Sequence, residues 1–143
     1  DADTCLGFKA AHTDVTKGEL NLDGFKDVFN QMQAKFNFKF IASSLRESYS
    51  ASDNGWSALV YDGKAFHHTK KYNVRIVDRV GSGDSFASGL IYGLVTGMST
   101  ADAAEFGVAA SALKHTIPGD LNHATLSDVK ELMKGDGSGR VQR

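Results

Sequence analysis

Apolar residues recur at positions 22, 25, 28, 29, 32 and 36, steps of three and four that gather on one side of a helix spanning Leu20 to Phe36. Asp23 stands where a helix N-cap would accept a backbone amide. Lys39 to Ser44 (KFIASS) then carry a short apolar burst without helical spacing, the pattern of a buried strand. Trp56 to Tyr61 (WSALVY) and Lys64 to Thr69 (KAFHHT) flank Asp62-Gly63, a favoured two-residue turn, and together predict a hairpin. Val74 to Val77 predict one more short strand.

Beyond that strand the helical period returns. Asp84 to Gly97 place Phe86, Leu90, Ile91, Leu94 and Val95 on one side. Thr100 to His115 form a second helix, with Thr100 as its cap and Ala104, Val108 and Leu113 as packing positions; Ile117-Pro118-Gly119 ends it. Leu126 to Met133 form the last, starting at Thr125 or Ser127, and Asp3 to Phe8 read as a helix end stopped by Gly7. Strand, hairpin and helix alternate, so the class is α/β. The Gly-rich stretch 135–143 (GDGSGRVQR) is expected to be a flexible tail beyond a single domain at 1–134.

Composition narrows the function classes. The 143 residues suffice for one core, and 16 basic against 17 acidic residues leave a net charge of -1. That balance argues against a nucleic-acid partner. No apolar run is long enough to span a bilayer, and no signal-peptide pattern opens the chain. The single cysteine, Cys5, cannot close an internal disulfide, so a cytoplasmic location is expected, with Cys5 as a small buried apolar residue. The chain begins at Asp1 without a strand or cap leading in, which points to a piece of a longer protein or a processed product.

The densest chemistry lies at 77–89, VDRVGSGDSFASG. Gly81 and Gly83 permit a backbone that exposes its N–H groups, and the helix that follows adds unpaired first-turn amides and a positive dipole end. Together these make a hole for an anion such as a phosphoryl group. Asp84 carries the wrong charge to bind that anion, but it suits a base that takes a proton from a hydroxyl attacking phosphorus. The alternative is a helix cap behind a common turn. Phe86 replaces the third glycine of a dinucleotide fingerprint, and no Gly-Lys-Ser/Thr follows. His12, His67, His68, His115 and His123 lack metal-ligand spacing, with His67 and His68 expected on opposite strand faces. Trp56 suits either a stacked base or the core, and Lys70-Lys71 a solvated strand end.

VDRVGSGDSFASGLIYGL resembles the C-terminal signature of the ribokinase-like carbohydrate kinases, the phosphofructokinase B family, an Asp-Thr-x-Gly-Ala-Gly-Asp-x-Phe pattern. The match holds at Asp78, Gly81, Gly83, Asp84 and Phe86; Arg79 and Ser82 depart from it without removing the glycines or the acid. SSLRESYSASDNGWSALVYDG (43–63) and AASALKHTIPGDLNHAT are similar to the 2-keto-3-deoxygluconate kinase branch. The resemblance covers essentially the whole chain but only the C-terminal half of such an enzyme. It implies the nucleotide-binding portion of a ribokinase-like, Rossmann-type layered fold.

It further implies ATP-dependent phosphorylation of 2-keto-3-deoxygluconate to its 6-phosphate. Asp84 would be the base and the backbone of Gly81, Ser82 and Gly83 the anion hole. Ser44 and Arg46 would meet the nucleotide phosphates, with Arg46 pairing with their oxygens. The hairpin 56–69 and the helix 100–115 would wall the adenine. Mg2+ would bridge the phosphates without side-chain ligands from this chain. Asp78 and Val80, with the loop at Gly119-Asp120, would hold a monovalent cation. The partners implied are ATP and a sugar acid, with a homo-oligomer for the full-length form. Two alternatives stand beside this: an incomplete nucleotide-binding fragment inactive alone, and a fructokinase- or ribokinase-type sugar kinase.

Overall fold

The computed structural model describes residues 2–10 and 21–135. In chain order the elements are α1 (Ala2–Leu6), α2 (Leu22–Phe36), β1 (Ile41–Ser48), β2 (Asp53–Tyr61), β3 (Phe66–His68), β4 (Tyr72–Arg75), α3 (Ser82–Val95), α4 (Thr100–Lys114) and α5 (Leu126–Lys134). His12 and all of the expected tail after Gly135 lie outside the described residues. No helix among the described residues is long and apolar enough to cross a membrane.

The described strands pair only antiparallel. β1 is therefore not the strand buried on both faces that KFIASS predicts: it runs on to Ser48 and turns back into β2, with Ile41 opposite Tyr61 and Ser48 opposite Asn54. β2 is the central strand, buried from Asn54 to Val60. β3 and β4 lie along its other edge, but their registers differ by one residue: Leu59 faces His68, whereas Trp56 faces Tyr72. The extra residue makes a bulge at Thr69, whose hydroxyl accepts the Ala58 amide (2.8 Å) while its own amide donates to the Ala58 carbonyl (3.0 Å). The expected two-residue turn is a four-residue loop, 62–65. Asp62 Oδ1 accepts the amides of Lys64 (2.9 Å) and Ala65 (2.8 Å), drawing both out of the ladder. Those bonds, with His67 on Oδ2, hold the Asp62 carboxyl far below the usual carboxylate range.

Alternation in the sheet feeds two cores. Ile41, Leu45 and Leu59 point to α2 and meet Phe29. Trp56, Ala58, Val60, Tyr72 and Val74 point the other way, onto α3, α4 and α5. The result is three layers: α2, the sheet, then the three C-terminal helices. Helix starts differ in detail from the sequence reading. Asn21, not Asp23, caps α2 by accepting the Gly24 amide (3.0 Å), and Ser99, not Thr100, caps α4. α3 begins at Ser82, before Asp84, with Gly81 as its cap. α5 starts at Thr125 with a reciprocal capping box to Asp128. Cys5 is exposed rather than buried. Lys70 is not a solvated strand end: its ammonium donates to the carbonyls of Met133 and Gly135, pinning the end of α5.

α3 and α4 cross in backbone contact. A Cβ on Gly89 would lie 2.8 Å from Gly107 Cα, and one on Gly107 would lie 2.9 Å from the Phe86 carbonyl oxygen and 3.0 Å from Leu90 N. Those atoms are main chain and cannot swing away. Gly107→Ala should therefore destabilise the protein by about 1–3 kcal/mol through overpacking, despite alanine's better helix propensity. Denaturant unfolding of the variant checks this; unchanged or raised stability contradicts the crossing described.

Candidate active site

The glycine turn is held from below by buried polar contacts. Ser111, fully buried on α4, accepts the Trp56 indole N–H (3.0 Å) and donates its hydroxyl to the Ser82 carbonyl (2.8 Å). Trp56 is thus a core residue, edge-on to His115 at 4.4 Å between ring centroids. His115 donates Nδ1–H to the Ser111 carbonyl (2.8 Å), and its burial, first of all, lowers its pKa. Its own carbonyl accepts the amides of Val77 (2.8 Å) and Asp78 (3.2 Å), which fixes the approach to the turn.

At the turn, Gly81 has φ 76°, a left-handed conformation, and Ser85 N closes the first helical bond on the Gly81 carbonyl (2.9 Å). The Ser82 amide is already engaged with the Arg79 carbonyl (3.3 Å). The amides of Gly81, Gly83 and Asp84 have no acceptor among the described residues. A Cβ on Gly83 would meet nothing within 4 Å, so the space on that side of the turn is open. The Asp84 carboxylate is exposed there and accepts no hydrogen bond from the described residues. Free amides and a free carboxylate therefore share one helix start.

A second segment closes over the turn. A Cβ on Gly81 would lie 2.4 Å from the Asp120 carbonyl oxygen, so the 119–122 loop rests on the glycine itself. Asp78 joins the two: Oδ1 accepts the Val80 amide (3.0 Å) and Oδ2 the Gly119 amide (2.8 Å). Those two bonds lower its pKa, Val80 contributing most. Asn122 donates to the Ser85 hydroxyl (2.7 Å) and the Ala110 carbonyl (3.3 Å), latching the loop to both helices.

Between α3, α4, α5 and this loop runs a cleft of about 470 Å³. Gly81 and Asp84 stand at one end, and Tyr92, Phe106, Leu121 and Val129 give it an apolar wall. The helix 100–115 thus contributes lining, while the hairpin 56–69 contributes none; α5 and the 120–126 segment take its place. Ser44 and Arg46 do not line the cleft. They sit on β1 opposite Ala58 and Trp56, on the sheet face turned to α4. Ser111 and Lys114 were not singled out from sequence, because a serine in an alanine-rich helix and a lysine at a helix end have no distinctive signal. Among the described residues, no group of three His, Cys, Asp or Glu side chains converges as a metal site.

The family model for pfkB carbohydrate kinases matches residues 53–125, which include the turn, Asp84 and the 119–122 loop. A 2-dehydro-3-deoxygluconokinase of Bacillus subtilis is 48% identical over 112 residues, 78% of this chain and 31% of that protein. A 2-dehydro-3-deoxygalactonokinase of Haloferax volcanii is 27% identical over 91% of this chain and 38% of its own length. The crystal structure of 2-dehydro-3-deoxygluconokinase from Thermotoga maritima superposes with a TM-score of 0.77 at 43% identity, covering 80% of this chain and 35% of that one. The chain thus spans about a third of the relatives it matches.

Two outcomes test this geometry. Gly81→Ala meets both an unfavourable φ and the Asp120 backbone, so it should cost about 2 kcal/mol or more, while Gly83→Ala should stay within about 1 kcal/mol of the parent; equal effects in denaturant unfolding would overturn the close approach. Asp78 has a folded pKa below its unfolded value of 3.8, so its contribution is present above that value and is lost as pH falls through the folded pKa. The stability gap between the parent and Asp78→Asn should accordingly be full at neutral pH and shrink below pH 3.8. A gap independent of pH would remove Asp78 from its clamp.

Proposed function

The chain belongs to the pfkB family of carbohydrate kinases, and from that premise we propose that it carries the nucleotide site and catalytic base of a sugar-acid kinase acting on 2-keto-3-deoxygluconate. The observation that carries the reading is the Asp84 carboxylate beside the amides of Gly81, Gly83 and Asp84, none of which has a partner among the described residues. The names of the Bacillus and Thermotoga relatives favour this substrate over a neutral sugar.

The division of labour follows from direction. Main-chain N–H groups and the positive end of α3 attract the phosphoryl oxygens, where negative charge builds as the transfer proceeds. The carboxylate extends from the same turn but offers only acceptors, so its partner is the substrate hydroxyl. The C6 oxygen attacks the γ-phosphorus, its proton passes to Asp84, and the bond to the bridging oxygen of ADP breaks. Phosphoryl transfer asks mainly for position and charge stabilisation, and one fixed turn supplies both.

The apolar wall of the cleft suits a purine ring. Magnesium, when bound to ATP, would neutralise charge on the phosphate oxygens; no carboxylate cluster converges to hold it among the described residues. Arg46 and Ser44, on the sheet face toward α4, would reach the nucleotide only at its phosphate end.

Asp84→Asn keeps the side chain's size and removes its basicity. In the full-length protein carrying this chain it should lower kcat by about 100- to 10,000-fold while the ATP dissociation constant stays within about threefold. Steady-state kinetics with 2-keto-3-deoxygluconate and calorimetric ATP titration read the two quantities. Turnover near the parent's would remove Asp84 from the base role.

A further inference from the structure

Lys114 is an ammonium with no exposed surface at the last residue of α4. Its one hydrogen-bond acceptor among the described residues is the Ile117 carbonyl (3.0 Å), and no carboxylate there lies within 4.0 Å of it. A buried charge so lightly partnered is unfavourable for stability alone, and an apolar side chain of similar volume would fill the space at less cost. The surroundings nevertheless favour a cation. The carbonyl end of α4 is the negative end of its dipole, and the Asp78 carboxylate is near enough to feel the charge.

The contacts lead from Lys114 to the turn. Its Nζ donates to the Ile117 carbonyl while its own carbonyl accepts the Ile117 amide (3.0 Å), a two-way clasp on 114–117. That clasp delivers Pro118 and Gly119, whose amide donates to Asp78 Oδ2. Asp120 then rests on Gly81. Asp78 holds Val80 with its other oxygen, one residue before Gly81.

We propose that the Lys114 ammonium is a resident cation that positions the 117–120 loop and the Asp78 clamp over the anion-binding turn, in place of a monovalent metal ion at Asp78 and Val80. The Ile117 carbonyl accepts the Lys114 ammonium and each Asp78 oxygen accepts a main-chain amide, so these three oxygens already have donors without a metal ion. Lys114 is a positioning residue in this account, since it acts through the loop. The inference rests on the kinase reading above.

The test uses the full-length protein carrying this chain, assayed with ATP, magnesium and 2-keto-3-deoxygluconate in potassium, sodium and choline chlorides at one ionic strength. Turnover of the parent should agree within about twofold across the three salts. Lys114→Met should lower kcat by about 10- to 100-fold with little change in the sugar KM, and potassium or ammonium should restore much of it. A folded Lys114→Met that turns over like the parent, or that responds to neither ion, overturns the proposal. Should that variant not fold, the parent's salt series decides, together with Lys114→Arg, which keeps the charge and should remain salt-independent. Parent activity that is lost in choline and restored by potassium overturns the proposal while leaving the kinase reading intact. Calorimetry that finds no ATP binding in any salt removes the kinase reading and this inference with it.

Discussion

The Ser111 hydroxyl is the contact on which the site's geometry depends. It stands where the sheet, α4 and the glycine turn come together, takes the Trp56 N–H from one and gives its proton to the Ser82 carbonyl of another. A hydroxyl can do both at once, and few other side chains of that size can. Its complete burial means that water does not compete for either bond. The Ser82 carbonyl is thereby fixed into the core, while the amides of Gly81, Gly83 and Asp84 keep no acceptor among the described residues. A turn that exposes amides toward a ligand needs such an anchor, because loose amides would rotate to find partners of their own.

Charge is sorted along the same turn. Among the described residues the amides of Gly81, Gly83 and Asp84 have no acceptor and the Asp84 carboxylate no donor, whereas both oxygens of the acid before them, Asp78, are engaged. Two aspartates six positions apart thus have opposite circumstances. One is held ionised by main-chain donors and serves the shape of the loops. The other is exposed and accepts no hydrogen bond from the described residues.

Much of this was legible in the residues themselves. The i, i+3, i+4 spacing of α2 and the apolar side of α3 predicted helices close to those observed, since long amphipathic patterns leave few alternatives. The Gly-x-Gly-Asp run marks the turn and its acid within the sequence. What escaped notice depends on distant partners. β1 reads as a two-face-buried strand until its return partner is known, and a one-residue bulge at Thr69 leaves no trace in local pattern. Asn21 outcompeted Asp23 as a cap because the chain's entry angle decides between neighbouring candidates. The cleft wall comes from α5 and the 120–126 segment, far along the chain from the hairpin 56–69. Lys114, a lysine at a helix end, carries no distinctive signal in sequence; its burial distinguishes it.

The glycine crossing of α3 and α4 has a mechanical corollary. Helices separated by long side chains can slide by trading rotamers, but here Gly89 and Gly107 bring main chain against main chain with nothing deformable between. The pair must travel as one rigid body, carrying the turn with it. Any accommodation by the groove falls to the strip that roofs it, where Leu121 and Leu126 keep 72% and 50% of their surface in solvent. Adaptability is thus confined to the rim, while the glycine turn and Asp84 ride on the packed helix pair.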